Sequence, residues 1–81
     1  MTREEILIEV AEIVRRTFKA PNLVVSDSTT TNDVPGWDSL AHASVLVRLE
    51  KHFNVQLPEK AAYDSKNVGE LVDAIAALVG G

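Results

Sequence analysis

The stretch Gly36-Trp37-Asp38-Ser39-Leu40 separates two parts of the chain that differ in pattern. Residues 19–38 show neither helical nor alternating periodicity and are rich in Ser, Thr, Asp, Pro and Gly. The residues from Ser39 onward form an apolar helical pattern. Loops longer than about 12–15 residues are uncommon in compact domains and often have a function. We therefore take Ser39, where this loop ends and a helix begins, as the residue around which the chain is organised.

Helix II is predicted from about Ser39 to His52, and it has two apolar faces. The first face must point to the core and consists of Val45, Leu46, Leu49 and Phe53. The second face lies beside Ser39 and Glu50 and consists of Leu40, Ala43 and Val47. Periodicity alone leaves two interpretations of the second face, which is either further core or an exposed contact patch around Ser39.

Helix I begins at a capping box, in which Thr2 and Glu5 satisfy free N–H groups of the first turn. Ile8 is the one apolar residue of this helix on its polar side. The core-facing arc consists of Ile6, Leu7, Val10, Ile13, Val14, Thr17 and Phe18.

Pro21 follows helix I and marks the start of the long loop. Four aliphatic residues are expected to hold this loop against the core, namely Leu23, Val24, Val25 and Val34. A short strand at residues 23–25 is the alternative, although no partner strand is visible in the sequence.

A short helical turn is predicted within residues 59–66, after the helix-breaking Pro58. Asn67 and Glu70 form a second capping box, and Gly80 and Gly81 end the helix that follows. The apolar arc of this last helix consists of Val68, Leu71, Val72, Ile75, Leu78 and Val79. The sequence therefore predicts an all-α fold, a small bundle of three main helices and one short helix.

Composition restricts the possible classes of protein. With 81 residues, of which 46% are hydrophobic, the chain is expected to be a single domain spanning residues 1–81. It contains no cysteine, and its net charge of −4 with scattered basic residues argues against nucleic-acid binding. No apolar run is long enough for a membrane span and no signal peptide is evident, so we expect a cytoplasmic monomer.

The residues near Ser39 do not form a catalytic site. Asp38, Ser39 and His42 lie within one helical turn, so they cannot form a nucleophile, base and orienting acid in line. His42 and His52 project on nearly opposite arcs and make no metal site together. We expect His42 to be partly buried and bonded to a loop carbonyl, and we expect neither catalytic nor metal-binding residues.

Ser39 is distinguished by its position in the first turn of a helix. Free N–H groups and the positive end of the helix dipole favour an attached phosphate there. Either Asp38 or Ser39 can cap the helix, which contributes about 1 kcal/mol. Only one of the two side chains is needed for the cap, so the other is available for a different role.

These residues resemble a known family. Residues 36–40 (GWDSL), followed by residues 45–58 (VLVRLEKHFNVQLP), are similar to the acyl carrier proteins of fatty acid, polyketide and related biosynthesis. The resemblance rests on the glycine before Asp-Ser-Leu, on the aliphatic helix and on the aliphatic-proline stop. Helix I, the long loop and the last helix also correspond, so the likeness covers nearly the whole chain.

The resemblance implies that a phosphopantetheinyl transferase attaches 4′-phosphopantetheine from coenzyme A to Ser39. The thiol of this arm then carries acyl groups as thioesters between acyl-loading and acyl-transfer enzymes. Asp38 is implied to contribute to recognition by the transferase. The implied docking strip for partner enzymes is Leu40, Ala43 and Val47, with Glu50 on the same side.

The chain departs from the family pattern in charge. Many family members have a strongly acidic helix after the serine, whereas the charged residues of positions 38–53 are Asp38, Arg48, Glu50 and Lys51, which sum to zero. Trp37 and His42 are more typical of discrete carriers in specialised pathways. An aminoacyl or peptidyl carrier is the alternative within the same superfamily, and an unmodified helical interaction module is a third possibility.

Overall fold

Four α-helices make up the fold in a computed structural model that describes residues 1–79. They are α1 (Arg3–Thr17), α2 (Ser39–Phe53), α3 (Glu59–Asp64) and α4 (Val68–Val79), and a 3₁₀ turn lies at Thr31–Asp33. Residues 1–79 contain no strand, so the prediction of an all-α bundle with one short helix is confirmed. The predicted helix end at Gly80 and Gly81 lies outside the described residues.

The core forms where α1 packs against α2 and α4, while α3 packs against α4. The predicted inward faces are buried for the most part, with Leu7, Thr17, Phe18 and Val79 partly buried and Ile8 exposed as expected. Leu78 was assigned to the core arc of α4, and that prediction is wrong, because its side chain is 44% exposed in the last turn of the helix. The largest fully buried side chains are Ile6, Leu49, Ile75, Val10, Val14, Val45, Val68 and Val72.

The capping box of α1 has the predicted geometry. The Glu5 N–H donates to Thr2 Oγ1 at 3.1 Å, and the Thr2 N–H donates to Glu5 Oε1 at 2.7 Å. These hydrogen bonds, first of all that from the Thr2 backbone, lower the pKa of the Glu5 carboxyl below its ordinary value.

The lowered pKa of Glu5 predicts an acid-dependent loss of stability. A carboxyl with a lower pKa in the folded state stabilises the fold above its unfolded pKa, and this contribution disappears as the pH falls through the folded pKa. Glu5→Gln should therefore weaken the dependence of the unfolding free energy on pH across the acidic range. Urea unfolding at several pH values measures this, with Glu4→Gln as the control. Equal pH dependence in both variants would contradict the assignment to the capping box.

The long loop is held to the core by alternate residues. Val34 and Trp37 are buried, and Leu23 and Val25 are partly buried. Val24, which was also expected to anchor the loop, is 81% exposed, so that prediction is wrong. The alternation has a physical reason, because side chains of successive residues in extended backbone point to opposite sides.

The loop is also bonded to the start of α4. The N–H of Val68 donates to the Thr29 carbonyl at 2.8 Å, and the N–H of Gly69 donates to the Asp27 carbonyl at 2.9 Å. Arg3 of α1 closes the same junction through ion pairs with Asp27 at 2.7 Å and Asp73 at 2.6 Å. These contacts join α1, the middle of the long loop and α4.

Gly69 is required at this junction because the loop lies so close. A Cβ atom at this position would lie 2.9 Å from the Asp27 carbonyl oxygen and 3.0 Å from its Oδ1. In an ordinary helix, replacing a glycine by alanine stabilises the helix by about 1 kcal/mol. Here Gly69→Ala should instead destabilise the protein, by roughly 1–3 kcal/mol, because the loop must move. Urea unfolding gives the sign, with Ser44→Ala as a surface control, and a stabilised Gly69→Ala protein would contradict the close contact.

The start of α4 has the predicted cap but not the full predicted box. Asn67 Oδ1 accepts the N–H of Glu70 at 2.9 Å, as expected. The Glu70 carboxylate accepts the N–H of Lys66 at 2.9 Å rather than that of Asn67. The reciprocal bond is therefore displaced by one residue toward the preceding turn.

Candidate functional site

Asp38 caps α2 and leaves Ser39 free. Asp38 Oδ1 accepts the Ala41 N–H at 2.9 Å, and its backbone carbonyl accepts the His42 N–H at 2.8 Å. Ser39 is the first residue of the helix and is exposed, and its hydroxyl has no hydrogen-bond partner within residues 1–79. The turn before it contains Gly36, whose positive φ of 89° suits glycine. Of the two residues that could have capped the helix, Ser39 is the spare one.

The surroundings of the Ser39 hydroxyl suit a phosphate ester. Within the described part of the chain, the N–H groups of Ser39 and Leu40 have no intramolecular acceptor. They point out of the positive end of the α2 dipole, where an anionic group is favoured. The exposed hydroxyl can be reached by a second protein, and an attached phosphodiester would meet unpaired donors. The residues present therefore fit a phosphate-linked group on Ser39.

His42 connects α2 to the loop and to α3. The Trp37 indole N–H donates to His42 Nδ1 at 3.0 Å, and His42 Nε2 lies 2.7 Å from the Ala62 carbonyl oxygen. Because an indole N–H can only donate, Nδ1 must accept, which makes Nε2–H the donor to Ala62. The carbonyl belongs to helix α3, so the expectation of a loop carbonyl is wrong. Both ring nitrogens are engaged, and neither is free to act as a base for Ser39.

A groove of about 390 Å³ opens beside Ser39. It runs between the end of the long loop, the start of α2 and the end of α3. Its walls are polar and aromatic, and they include Thr31, Trp37, His42, Tyr63 and Ser65. The groove gives a group attached to Ser39 a surface on which to lie.

The second apolar face of α2 is exposed. Leu40 is 81% exposed and Val47 is 62% exposed, while Ala43 is partly buried between them. Of the two interpretations left open by periodicity, the structure supports the contact patch, which we call the docking strip (Leu40, Ala43 and Val47). Single exposed apolar side chains are common on protein surfaces. A row of them beside an exposed residue such as Ser39 is more typical of an interaction surface.

The surface next to Val47 carries positive charge. A groove of about 500 Å³ is lined by Ile13, Arg16, Val47, Arg48, Lys51 and His52. Two acidic residues of α1 partly offset this charge, since Glu9 bonds His52 at 2.6 Å and Glu12 lies 3.9 Å from Arg16. The zero charge sum of residues 38–53 therefore conceals a basic region at the far end of the docking strip.

Glu50 has a role within the fold that sequence reasoning missed. Its Oε2 accepts the N–H of Leu57 at 2.7 Å, and its backbone carbonyl accepts the N–H of Val55 at 3.0 Å. These bonds hold the chain as it turns out of α2 at Asn54, whose left-handed conformation ends the helix. Recognition of a partner by Glu50 stays a prediction, and its carboxylate also serves the loop between α2 and α3.

Residues 1–79 contain neither a metal-binding cluster nor a membrane-spanning helix. No cluster of three or more His, Cys, Asp or Glu side chains could hold a metal ion. No helix in that range has the length and apolar character needed to cross a membrane.

Comparison with known proteins identifies the family. The family described as "Phosphopantetheine attachment site" matches residues 9–75. The chain is 37% identical to an acyl carrier protein of Prochlorococcus marinus, over 99% of this chain and 100% of that protein. It is 34% identical to an acyl carrier protein of Acidothermus cellulolyticus, over 94% of this chain and 90% of that protein.

A solved structure has the same fold. The solution structure of holo acyl carrier protein from Geobacter metallireducens superimposes with a TM-score of 0.81 at 32% sequence identity. The match covers 88% of this chain and 82% of that one. The chain belongs to the acyl carrier protein family.

Membership of this family defines the general function of the chain. It is a carrier without catalytic activity of its own, and it carries covalently attached 4′-phosphopantetheine. A phosphopantetheinyl transferase adds this group, and biosynthetic enzymes are the carrier's partners. The thiol that the cysteine-free chain lacks is supplied by the arm when it is bound.

Proposed function

We propose that Ser39 is the attachment residue and that the chain, as one carrier domain, shuttles acyl thioesters between enzymes of a specialised biosynthetic pathway. The observation that supports this assignment is the exposed, unbonded hydroxyl of Ser39 at the start of α2. The loop, the Asp38 cap and the first turn of α2 together present this hydroxyl to solvent. A specialised pathway is favoured by the neutral charge sum of residues 38–53, where many family members are acidic.

The attachment is a phosphoryl transfer to Ser39. The serine Oγ attacks the phosphorus that bears the pantetheine in coenzyme A, and an Oγ–P bond forms. The P–O bond of the pyrophosphate breaks, adenosine 3′,5′-bisphosphate leaves, and the hydroxyl proton passes to a base on the transferase or to solvent. Asp38 contributes by holding the first turn of α2, so that Ser39 is presented in a fixed orientation.

Incubation with coenzyme A, Mg²⁺ and a broad-specificity transferase tests this proposal. The protein should gain the mass of one phosphopantetheine group, and the peptide containing Ser39 should carry it. A protein that gains no mass, or that gains it on another peptide, would refute the assignment.

The docking strip and Asp38 are proposed to meet the partner enzymes. Burying an unpaired charge against an apolar partner surface is costly, so a carboxylate within the docking strip should weaken binding. Val47→Asp should weaken binding to the enzyme that loads the holo protein by about tenfold or more, which corresponds to about 1.4 kcal/mol. The matched control is Val24→Asp, because Val24 is 81% exposed but lies in the loop. The KM for the carrier measures both, and equal effects would contradict a specific strip.

Aminoacyl or peptidyl cargo is the alternative, and the loading enzyme distinguishes the two. An adenylating enzyme specific for an amino acid would load an aminoacyl carrier, whereas an acyltransferase or acyl-activating enzyme would load an acyl carrier. The expected cytoplasmic location and monomeric state stay predictions.

A further inference from the structure

A much smaller cavity lies beside the groove next to Ser39. This inner cavity shares Thr31, Trp37, His42 and Ser65 with the groove and continues toward Val68 and Leu71 of α4. The inner cavity has a volume of only about 20 Å³, against about 390 Å³ for the groove. A cavity of that size has room for about one water molecule and not for a hydrocarbon chain.

Trp37 and His42, which line both cavities, belong to a hydrogen-bonded bridge that also includes the Ala62 carbonyl. The bridge joins the loop to α2 at 3.0 Å and α2 to α3 at 2.7 Å. The Trp37 ring is 8% exposed and lies 5.2 Å from the Phe18 ring, so it has no room to turn freely. An aliphatic chain that separated these groups would leave the Trp37 indole N–H, the partly buried His42 imidazole and the Ala62 carbonyl without partners, which methylene groups cannot replace.

The outer groove, in contrast, has polar groups available. The hydroxyls of Thr31 and Tyr63 have no hydrogen-bond partner within residues 1–79, and Tyr63 is 60% exposed. Ser65 Oγ donates to the Ala61 carbonyl and retains lone pairs that can accept. The Tyr63 ring packs edge-on against His42 with 5.7 Å between centroids and forms an aromatic wall. A short cargo with hydroxyl substituents meets both donors and acceptors there.

We propose that this carrier holds short, hydroxyl-bearing acyl groups in the outer groove and keeps aliphatic chains out of its core. This inference rests on the proposed attachment of the arm to Ser39. The Trp37–His42–Ala62 bridge limits how deeply an acyl chain can enter the protein. Thr31, Tyr63 and Ser65 provide the preference for polar cargo.

The test compares three loaded forms of the full chain. A broad-specificity transferase moves the acylated arm from butyryl-, 3-hydroxybutyryl- or octanoyl-coenzyme A, and intact mass confirms each product. NMR then follows the indole N–H of Trp37, the ring of Tyr63 and the methyl groups of Val68 and Leu71. The 3-hydroxybutyryl form should shift the Tyr63 signals more than the butyryl form does. The octanoyl form should leave the Trp37, Val68 and Leu71 signals at their positions in the holo protein.

Removing the bridge should open the core. In His42→Ala the octanoyl group should shift the Val68 and Leu71 methyl signals and raise the Tm relative to the holo form of the same variant. Ser44→Ala, on the same helix, should behave as the unaltered protein. Trp37→Phe removes the indole donor together with part of the buried ring and serves as the second variant if His42→Ala does not fold.

Each outcome decides a different point. A protein that takes up no arm refutes the proposed function and this inference with it. An octanoyl chain that shifts Val68 and Leu71 in the unaltered protein refutes the barrier while attachment stands. Equal shifts by butyryl and 3-hydroxybutyryl groups refute the preference for hydroxyl groups. An octanoyl group that stays outside both folded bridge variants shows that the bridge does not set the limit.

Discussion

Ser39→Ala is expected to abolish the mass gain completely when the protein is incubated with coenzyme A, Mg²⁺ and a transferase. The alanine side chain has no oxygen for the phosphorus to bond. Stability should change by less than about 0.5 kcal/mol, because Asp38 and not Ser39 caps the helix. Loss of modification would then reflect the missing hydroxyl rather than an unfolded protein, which circular dichroism verifies.

Ser44→Ala is the matched control for this experiment. Ser44 is an exposed serine of the same helix, one turn and a half further along. Its replacement should leave the extent of modification unchanged. A Ser39→Ala protein that still gains a phosphopantetheine group would place the attachment elsewhere and contradict the assignment.

Leu49→Ala is expected to cause the largest loss of stability, about 2–5 kcal/mol, because a fully buried leucine is replaced by a residue that leaves a cavity. Domains are stable by only about 5–15 kcal/mol, so this change removes a large fraction of the total. Leu40→Ala makes the same chemical change on the opposite face, where the side chain is 81% exposed. It should change the unfolding free energy by less than about 0.5 kcal/mol.

Urea unfolding of the two leucine variants measures the division of α2 into two faces. A large loss for Leu49 with a small one for Leu40 is the expected result. Similar losses for both would mean that the docking strip is part of the core and unavailable to partners.

The sequence predicted the helices because their core positions recur with the helical period and their starts carry caps. Thr2 with Glu5, and Asp38 before Ser39, are local signals that fold into the expected bonds. The exposure of the docking strip could not be settled in this way, because periodicity shows that a face is apolar but not what covers it. Only the packing of α2 against α1 in the folded structure shows which face is covered.

Two of the contacts that sequence reasoning missed join residues far apart in the chain. Arg3 bonds Asp73 across 70 positions, and His42 reaches the Ala62 carbonyl across 20. No local pattern contains such pairs, since they depend on how the helices are placed together. The same limit explains why Glu50 was considered only as a recognition residue, although its carboxylate holds the Leu57 N–H.

The most direct measurement is the intact mass of the protein isolated from the organism that makes it, followed by peptide mapping. The account predicts a chain that bears one phosphopantetheine group on Ser39, with part of the population carrying a short acyl thioester on its thiol. A native protein with an unmodified Ser39, or with the group on another residue, would contradict it.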